Sequence, residues 1–199
     1  MQIVYHPHPA LSWKSTDVTR IDAQLRSVVR EMFDLMYEAK GIGLAANQVA
    51  LPFRFFIVNL TGDPEETEEE LVFINPVIRK KKGSEFGEEG CLSLPGIYAE
   101  VQRAEEVVIE AYDLSGQPIQ ATLDDLAARV VQHETDHLDG VMFTERLSDS
   151  LRREVDGKLA EFEQRFRQAQ EAGEIPSDDE IRRQLQEMSR SGQLEPASS

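Results

Sequence analysis

Apolar residues recur every three or four positions between residues 21 and 36, which predicts an amphipathic helix. Thr19 is the expected cap of this helix, and Gly41 is its expected end. Two runs of aromatic and branched residues follow, at 53–60 and 71–78, and predict two strands joined by an acidic loop. The apolar positions of the helix are Ile21, Leu25, Val28, Val29, Met32, Phe33, Leu35 and Met36.

A hairpin and a second helix are predicted in the middle of the chain. Residues 105–123 contain two strand-like runs on either side of the turn sequence LSGQP. Asp124 or Asp125 can cap the helix that follows, and Gly140 can end it. This order of strands and helices by itself supports only a mixed α and β fold.

The composition changes beyond residue 148. A long charged segment carries a thin apolar stripe at helical spacing, and we expect it to pack on the rest of the chain through that stripe. The stretch from Glu174 predicts a short capped helix and then a polar tail, expected to be mobile or held by contact with another molecule. The stripe consists of Leu151, Val155, Leu159, Phe162 and Phe166.

Charge and hydropathy exclude several classes of protein. The formal net charge is −16, and neutralising a phosphate backbone requires lysine and arginine, so broad nucleic-acid binding is not expected. No apolar run approaches the roughly 20 residues that a membrane helix needs, and the first residues lack the pattern of a secretory signal. We therefore expect a protein of a bacterial-type cytoplasm.

The segment QHETDHLDG (132–140) contains two of the four histidines. On a helix, His133 and His137 lie one turn apart on the same face, so both rings can reach one metal ion. Glu134 then lies at the flank of such an ion, where it can accept a proton from water. Two histidines that face solvent, or that are satisfied within the core, are the alternative.

A catalytic metal site with an open position needs three protein ligands, and the histidine pair supplies only two. Cys91 is the only cysteine, which excludes an internal disulfide. A thiolate is a strong ligand for a divalent first-row metal, so Cys91 is the preferred third ligand. Its alternative role is that of a small buried hydrophobe. The downstream segment offers no histidine, only the carboxylates Glu145, Asp149 and Glu154.

A glycine-rich segment, GIGLAANQ (41–48), follows the first helix. Its alternating glycines permit close approach of other groups to the backbone. The Gln48 amide can donate a hydrogen bond to an oxyanion. A glycine-rich turn with a satisfied glutamine is the alternative.

Together, these segments resemble the signature of the peptide deformylases, which remove the formyl group from the N-terminal methionine of new bacterial polypeptides. GIGLAANQ (41–48), EGCLS (89–93) and QHETDHLDG (132–140) match the three motifs of that family in order. The resemblance covers a catalytic domain at residues 1–147 and implies an α+β fold in which small antiparallel sheets surround a central metal-binding helix. Residues 148–199 then form a charged helical C-terminal extension.

The resemblance also implies how the site works. Glu134 is the expected general base, which agrees with the chemistry of a water activated by a metal. Gln48 and the backbone N–H of Leu92 are expected to stabilise the oxyanion. The metal is expected to be one divalent ion, ferrous iron in the cell, which zinc, nickel or cobalt can replace. Its implied ligands are Cys91, His133 and His137.

Substrate contacts follow from the same resemblance. The backbones of Ile42, Gly43 and Gly90 are expected to pair with the substrate as an added strand. Leu126, Val130 and Ile42 are candidates for the wall of a methionine pocket, with ordinary core positions as the alternative.

Two further residue positions bear on the site. Tyr98 stands near a position where some members of the family carry a cation that faces the substrate, so contacts beyond methionine are expected to differ. Glu89 and Arg103 are expected to form either an ion pair that steadies the cysteine loop or an ordinary surface pair.

The expected partners are N-formylmethionyl nascent polypeptides, with no DNA and no membrane. If the chain contacts the ribosome, the contact is expected to be weak and transient, through RKKKG (79–83) or Arg152 and Arg153. The competing classes are a zinc metallopeptidase and a non-catalytic binding module stabilised by metal. The upstream Cys91 argues against the first, and Glu134 argues against the second, because a purely structural site does not need a base.

Overall fold

The computed structural model describes residues 1–194 as helices packed on two antiparallel sheets. Within these residues, the helices are α1 (Ala23–Glu38), α2 (Asp125–Leu138), α3 (Asp149–Glu171) and α4 (Asp178–Ser191). The strands are β1 (Gly43–Ala45), β2 (Phe55–Val58), β3 (Leu71–Lys82), β4 (Glu85–Gly90), β5 (Tyr98–Arg103), β6 (Glu106–Tyr112) and β7 (Pro118–Asp124). Short 3-10 helices span Pro9–Ser12, Ala46–Val49, Thr67–Glu69 and Phe143–Arg146.

The larger sheet has the strand order β1-β2-β3-β6-β7, and each neighbouring pair is antiparallel. β1 is therefore an edge strand. The smaller sheet pairs β4 with β5, also antiparallel. The predicted α+β class with small antiparallel sheets is confirmed, and the hairpin predicted at 105–123 is formed by β6 and β7.

β2 lies in the part of the larger sheet that is covered on both faces. Phe55 and Ile57 lie in the core shared with α1 and the C-terminal helices, whereas Phe56 and Val58 lie in the core shared with α2. Successive side chains of a strand point to opposite faces, and a strand that is buried on both faces is apolar throughout. The unbroken apolar run at 55–58 reflects this double burial.

The ends of two elements differ from the sequence-based prediction. α1 is capped by Asp22, whose carboxylate accepts a hydrogen bond from Leu25 N at 3.1 Å, so the predicted cap Thr19 is wrong. Asp22 stands directly before the first helical residue, where a side-chain oxygen reaches the free N–H groups. β3 continues past residue 78 to Lys82, because its lysines pair with the start of β6.

The C-terminal helices pack on the core that α1 and the N-terminal segment also form. α4 begins after Ser177, whose side chain caps it, and contacts the 3-10 helix Pro9–Ser12. The short capped helix predicted after Glu174 is thus present as α4, whereas the expected mobility remains a prediction and the end of the polar tail, at 195–199, lies outside the described residues. The buried residues of the predicted stripe are Val155, Leu159 and Phe166. Within the described part of the chain, no helix is long and apolar enough to cross a membrane.

Candidate metal centre

Three side chains from two separate segments meet in the interior. Cys91 directly follows β4, and His133 and His137 lie one turn apart on α2. The Cys91 Sγ lies 3.2 Å from His137 Nε2, and that nitrogen lies 3.2 Å from His133 Nε2. All three donor atoms lie within 4.8 Å of one another. The structure thus brings together the three residues that were predicted as ligands.

The donor set fits a divalent first-row metal ion. Tetrahedral ligands at about 2.0 to 2.3 Å from an ion lie roughly 3.3 to 3.6 Å from one another, close to the two separations of 3.2 Å from His137 Nε2. The fully buried His137 directs Nε2 at a second ring nitrogen and a sulfur. Polar atoms that converge in this way in the interior require a proton or a metal cation among them. Imidazole and thiolate are also the donor types that such metals accept.

His133 lies beside a carboxylate and a thiol. Its Nδ1 lies 2.9 Å from Glu89 Oε2. Burial lowers the pKa of His133, but hydrogen bonds with Cys91 and Glu89 outweigh burial and raise the pKa to about 10. A divalent cation competes with that proton for the same ring, so the potential that favours the proton also favours a metal. The pKa of His137 is lowered well below its ordinary value, first by burial and then by the nearby His133.

A buried network of charged groups surrounds Glu89. Burial raises the pKa of this carboxyl, but hydrogen bonds from Arg103 and His133 outweigh burial and hold the pKa well below its usual range. Arg103 donates to Glu89 at 2.8 and 2.9 Å, and the two side chains are 3% and 4% exposed. The predicted pair is therefore a buried ion pair and not a surface pair. Arg103 also donates to Asp136 on α2, which accepts a further hydrogen bond from Arg146.

Glu134 lies against the glycine-rich segment. Its side chain is buried, and Oε2 has no hydrogen-bond partner among the described residues. Burial raises the pKa of Glu134 to about 7, so this carboxyl can gain or lose a proton near neutral pH. A side chain at Gly43 would place its Cβ 2.6 Å from Glu134 Oε1. Glycine at this position therefore leaves the space that the carboxylate occupies.

Gln48 is buried beside the cysteine. Its Nε2 donates to Ser93 Oγ at 3.2 Å and to Cys91 Sγ at 3.4 Å. Its Oε1 accepts a hydrogen bond from Ala45 N at 2.8 Å, which fixes the orientation of the amide. The amide is therefore satisfied within the protein, with its donors toward Cys91 and Ser93, and donation to an oxyanion remains a prediction.

Close contacts at glycines join the three motifs. A Cβ at Gly41 would lie 2.6 Å from the Leu92 side chain. A Cβ at Gly90 would lie 2.6 Å from the ring of Tyr98, which is paired with it across the small sheet. With the contact at Gly43, the glycines of the first motif leave room for a side chain from each of the other two motifs. The spacing of the glycines therefore has a packing reason.

The three residues predicted to line the methionine pocket differ from one another in burial. Val130 is 7% exposed, and its Cγ1 would lie 3.1 Å from a Cβ at Gly43. Ile42 precedes Gly43, and its carbonyl accepts a hydrogen bond from Asn59 N at 3.0 Å. Leu126, in the first turn of α2, is 49% exposed. The structure brings Val130 and Ile42 to Gly43 and leaves Leu126 at the surface.

The downstream carboxylates do not join the cluster. Glu145 accepts a hydrogen bond from Met142 N at 2.9 Å, whereas Asp149 and Glu154 are exposed on α3. Over residues 1–194, the group of three or more metal-ligating side chains that converge is the cysteine with the two histidines.

Two residues that the sequence analysis did not single out support the ligand-bearing helix. Asn47 is fully buried, and its Nδ2 donates to the backbone carbonyl of His137. Arg129 is buried and donates to Glu89 Oε1 at 2.9 Å. Arg129 precedes His133 by four positions and so shares its helical face, which is a signal that the sequence did contain. For Asn47, the position inside a functional motif was the only signal.

A buried cysteine and two histidines with a carboxylate beside them, on an α+β fold, define the class of metal-dependent hydrolases. The model of the polypeptide deformylase family matches residues 1–153. The chain belongs to this family.

Relatives are similar over most of the chain. The peptide deformylase of Rhodopirellula baltica is 44% identical over 187 residues, which cover 94% of this chain and 92% of that protein. The peptide deformylase of Chromobacterium violaceum is 44% identical over 163 residues, which cover 82% of this chain and 96% of that protein.

Solved structures are similar as well. A peptide deformylase from Plasmodium falciparum matches with a TM-score of 0.81 at 39% identity, over 83% of this chain and 97% of that one. Peptide deformylase 1B of Arabidopsis thaliana, in complex with an inhibitor, matches with a TM-score of 0.81 at 40% identity, over 89% of this chain and 96% of that one. The fold is thus that of the peptide deformylases.

Proposed function

We propose that the chain is a metal-dependent hydrolase that removes the formyl group from the N-terminal formyl-methionine of newly made polypeptides and releases formate. The observation that carries the proposal is a buried cluster of one cysteine and two histidines with the Glu134 carboxylate next to it. Membership of the polypeptide deformylase family supports it. A purely structural metal site would not need an additional buried carboxylate without a partner.

The proposed metal ligands are Cys91, His133 and His137. The proposed ion is ferrous iron in the cell, with zinc, nickel or cobalt able to replace it. When bound, the ion would supply Lewis acidity, which lowers the pKa of water and polarises a carbonyl oxygen. Glu89 supports this role through its hydrogen bond to His133 Nδ1, because that bond directs Nε2 of the ring toward the other two ligands.

Glu134 is the proposed proton carrier. Water adds its oxygen to the formyl carbon and gives a proton to Glu134, which then passes that proton to the nitrogen of the leaving amine as the C–N bond breaks. The burial that raises the pKa of Glu134 to about 7 suits both transfers at neutral pH. The carboxylate lies directly against the backbone of Gly43, so packing limits its position on that side.

Gln48 and the backbone N–H of Leu92 are the proposed donors to the oxyanion. The Gln48 amide is already oriented by Ala45 N, with its donors toward Cys91 and Ser93. A donor oriented in advance stabilises developing charge without reorganisation, and removing one such donor lowers kcat by about 10²- to 10³-fold.

The proposed substrate binds as an extended strand. Gly43 belongs to β1, the edge of the larger sheet, and Gly90 ends β4 in the smaller sheet. Backbone groups of Ile42, Gly43 and Gly90 at these edges can pair with a peptide, and such pairing tolerates varied side chains after methionine. Leu126, Val130 and Ile42 are the proposed wall of the methionine pocket.

Formate release tests the proposal. Protein purified without oxygen and analysed for its metal is expected to release formate from a formyl-methionyl peptide and to leave internal peptide bonds intact. Metal-loaded protein that releases no formate would contradict the proposal, and cleavage of internal bonds would favour a metallopeptidase. Glu134→Gln is expected to keep its metal and to lower kcat by about 10²- to 10⁴-fold. Glu161→Gln, at an exposed position of α3, is the matched control.

We further infer action on nascent polypeptides in a bacterial-type cytoplasm, with a weak and transient ribosome contact. Acidic neighbours weaken both proposed patches for that contact. Within 79–83, Arg79 and Lys82 pair with glutamates of β6, and Arg152 pairs with Asp156. Co-sedimentation with ribosomes at low and moderate salt tests the contact. Because salt screens interactions between exposed charges, we expect the chain to sediment with ribosomes at low salt and to dissociate as the salt concentration rises.

The division into a catalytic domain at 1–147 and an extension at 148–199 remains a proposal. Side chains of α3 and α4 belong to the same core as α1. A chain that ends at residue 147 is therefore expected to unfold at a lower temperature, as thermal denaturation would measure.

A further inference from the structure

The small sheet that precedes Cys91 has little apolar support. Along β4 and β5, the buried side chains are those of Glu89, Val101 and Arg103, and only Val101 is apolar. Phe86, the large apolar residue of β4, is 66% exposed. Burial of apolar surface therefore contributes little to holding this sheet against α2.

Arg129 of α2 supplies polar links in its place. Its Nη1 donates to Glu89 Oε1 at 2.9 Å and to the Val101 carbonyl at 3.0 Å. Its Nη2 donates to Glu85 Oε1 at 3.2 Å, and longer contacts of 3.4 Å reach the carbonyls of Glu85 and Gly87. One guanidinium thus binds both strands of the small sheet from the helix that carries both histidines.

Gly87 provides the space for this guanidinium. A Cβ at Gly87 would lie 2.8 Å from Arg129 Cζ and Nη2 and 2.9 Å from Nε. Gly87 is not among the glycines with positive φ, so its backbone conformation does not require glycine. The close approach of the guanidinium is the physical reason for a glycine there. Because the Arg129 side chain is only 9% exposed, water competes little for these hydrogen bonds.

The two arginines around Glu89 have different reach. Arg103 belongs to the small sheet itself and joins Glu89 to Asp136 through side chains. Arg129 belongs to α2 and contacts the backbone of both strands. A bond to the backbone constrains the path of the chain, whereas a bond between side chains constrains mainly those side chains. Arg129 is therefore the residue placed to set the position of the chain that leads to Cys91.

We propose that Arg129 is a positioning residue that clamps β4 and β5 onto α2 and thereby sets where Cys91 lies relative to His133 and His137. The clamp also sets the place of the edge residue Gly90, and this second part rests on the proposed function. A guanidinium presents its donors in a planar fork that can bind several acceptors at once, whereas a lysine ammonium is a single point charge. The role therefore requires arginine.

Release of metal from the loaded protein tests the clamp. In the zinc-loaded full-length chain, Arg129→Gln is expected to release zinc to a chelator about 10- to 100-fold faster than the wild type. Gly87→Ala keeps the arginine but displaces its guanidinium, so zinc release is expected to accelerate by a smaller factor. Arg129→Lys keeps the charge without the fork and is expected to lie between the wild type and Arg129→Gln.

Two further readouts separate positioning from general destabilisation. The KM for a formyl-methionyl peptide is expected to rise more than kcat falls, because the Gly90 edge moves while Glu134 stays on α2. In cobalt-substituted protein, the charge-transfer absorption of the sulfur–metal bond is expected to weaken in Arg129→Gln and in Gly87→Ala. Arg167→Gln removes a surface pair with Asp178 and is the control. It is expected to leave KM, kcat and the charge-transfer absorption unchanged.

Unchanged zinc release and unchanged absorption in both Arg129→Gln and Gly87→Ala would overturn the inference, as would an equal effect of Arg167→Gln. If Arg129→Gln does not fold, Gly87→Ala decides by the same measurements. A wild type that binds zinc but releases no formate would overturn the proposed function, while faster zinc release from the variants would still support the clamp.

Discussion

The two halves of the ligand cluster are held by different forces. Both histidines lie on α2, which packs on the larger sheet through an apolar core in which Phe56 and Phe73 stack at 4.9 Å between ring centroids. Cys91 follows a two-stranded sheet that buries one apolar side chain and is joined to α2 through Arg103 and Arg129.

This difference separates stability from ligand placement. Burial of apolar surface contributes free energy without a preferred direction, whereas charge-assisted hydrogen bonds have specific geometry. Substitutions in α2 and the residues packed on it, the helix half, are expected to lower the free energy of unfolding. Substitutions in β4 and β5, the hairpin half, are expected to change metal retention more than the free energy of unfolding.

The largest expected effect on stability is that of Phe56→Ala. Removing this fully buried ring leaves a cavity, and the free energy of unfolding is expected to fall by about 3–5 kcal/mol. Urea unfolding of the zinc-loaded protein measures the change. Phe86→Ala removes the same ring from the exposed face of β4 and is expected to change stability by less than about 0.5 kcal/mol. Equal losses of the free energy of unfolding in Phe56→Ala and Phe86→Ala would contradict the proposed difference between the apolar core under α2 and the small sheet.

Glu89→Gln tests the hairpin half. The amide keeps a hydrogen-bond acceptor for His133 but removes the charge that pairs with Arg103 and Arg129. Zinc affinity is expected to fall by about 10- to 100-fold, as competition with a chelator would measure. The free energy of unfolding is expected to fall by about 1–3 kcal/mol. A loss of stability above that of Phe56→Ala, with zinc affinity unchanged, would reverse the assignment of the two halves.

Asn47→Ala sharpens the comparison within the helix half. The variant removes the donor to the His137 carbonyl, and the free energy of unfolding is expected to fall by about 1–2 kcal/mol for a lost buried hydrogen bond. Zinc affinity is expected to fall less than in Glu89→Gln, because the bond supports the helix backbone and not the ring. A larger fall in zinc affinity than in Glu89→Gln would show that Asn47 places the ligand.

The smallest expected effect concerns His8, away from both halves. Burial lowers the pKa of His8 to about 4, although Asp178 raises it, and the ring packs edge-on against Phe166. Because the pKa of His8 is lower in the folded state, the stabilising contribution of the neutral ring to the free energy of unfolding is complete above about pH 6.5. It is lost as the pH falls toward 4. At pH 5.5, protonation of His8 in the unfolded state lowers the free energy of unfolding by about 1 kcal/mol. Urea unfolding at pH 7.5 and 5.5 checks it. Because other groups such as Glu134 also titrate in this range, His8→Gln is expected to change the difference between the two pH values by about 1 kcal/mol and not to remove it.

Local patterns predicted most of the elements because helical and strand spacing are properties of neighbouring residues. The spacing of Leu25, Met32 and Met36 was enough for α1, whose cap was misplaced because several polar residues precede it and compete for the same N–H groups. Patterns did not predict the docking of α4. Its apolar face contacts Pro9–Ser12 at the other end of the chain, and no local signal specifies so distant a partner.

By itself, the sequence determined the pair His133 and His137 on one helical face, the glutamate between them, and a single thiol to complete the set. Only the tertiary structure decided that Cys91 Sγ lies 3.2 Å from a nitrogen 46 positions away. It also decided that Arg129 holds the small sheet, because those hydrogen bonds join residues 28 to 44 positions apart. Helical spacing is repeated along the chain and is visible in it, whereas contacts across such distances depend on how the whole chain packs.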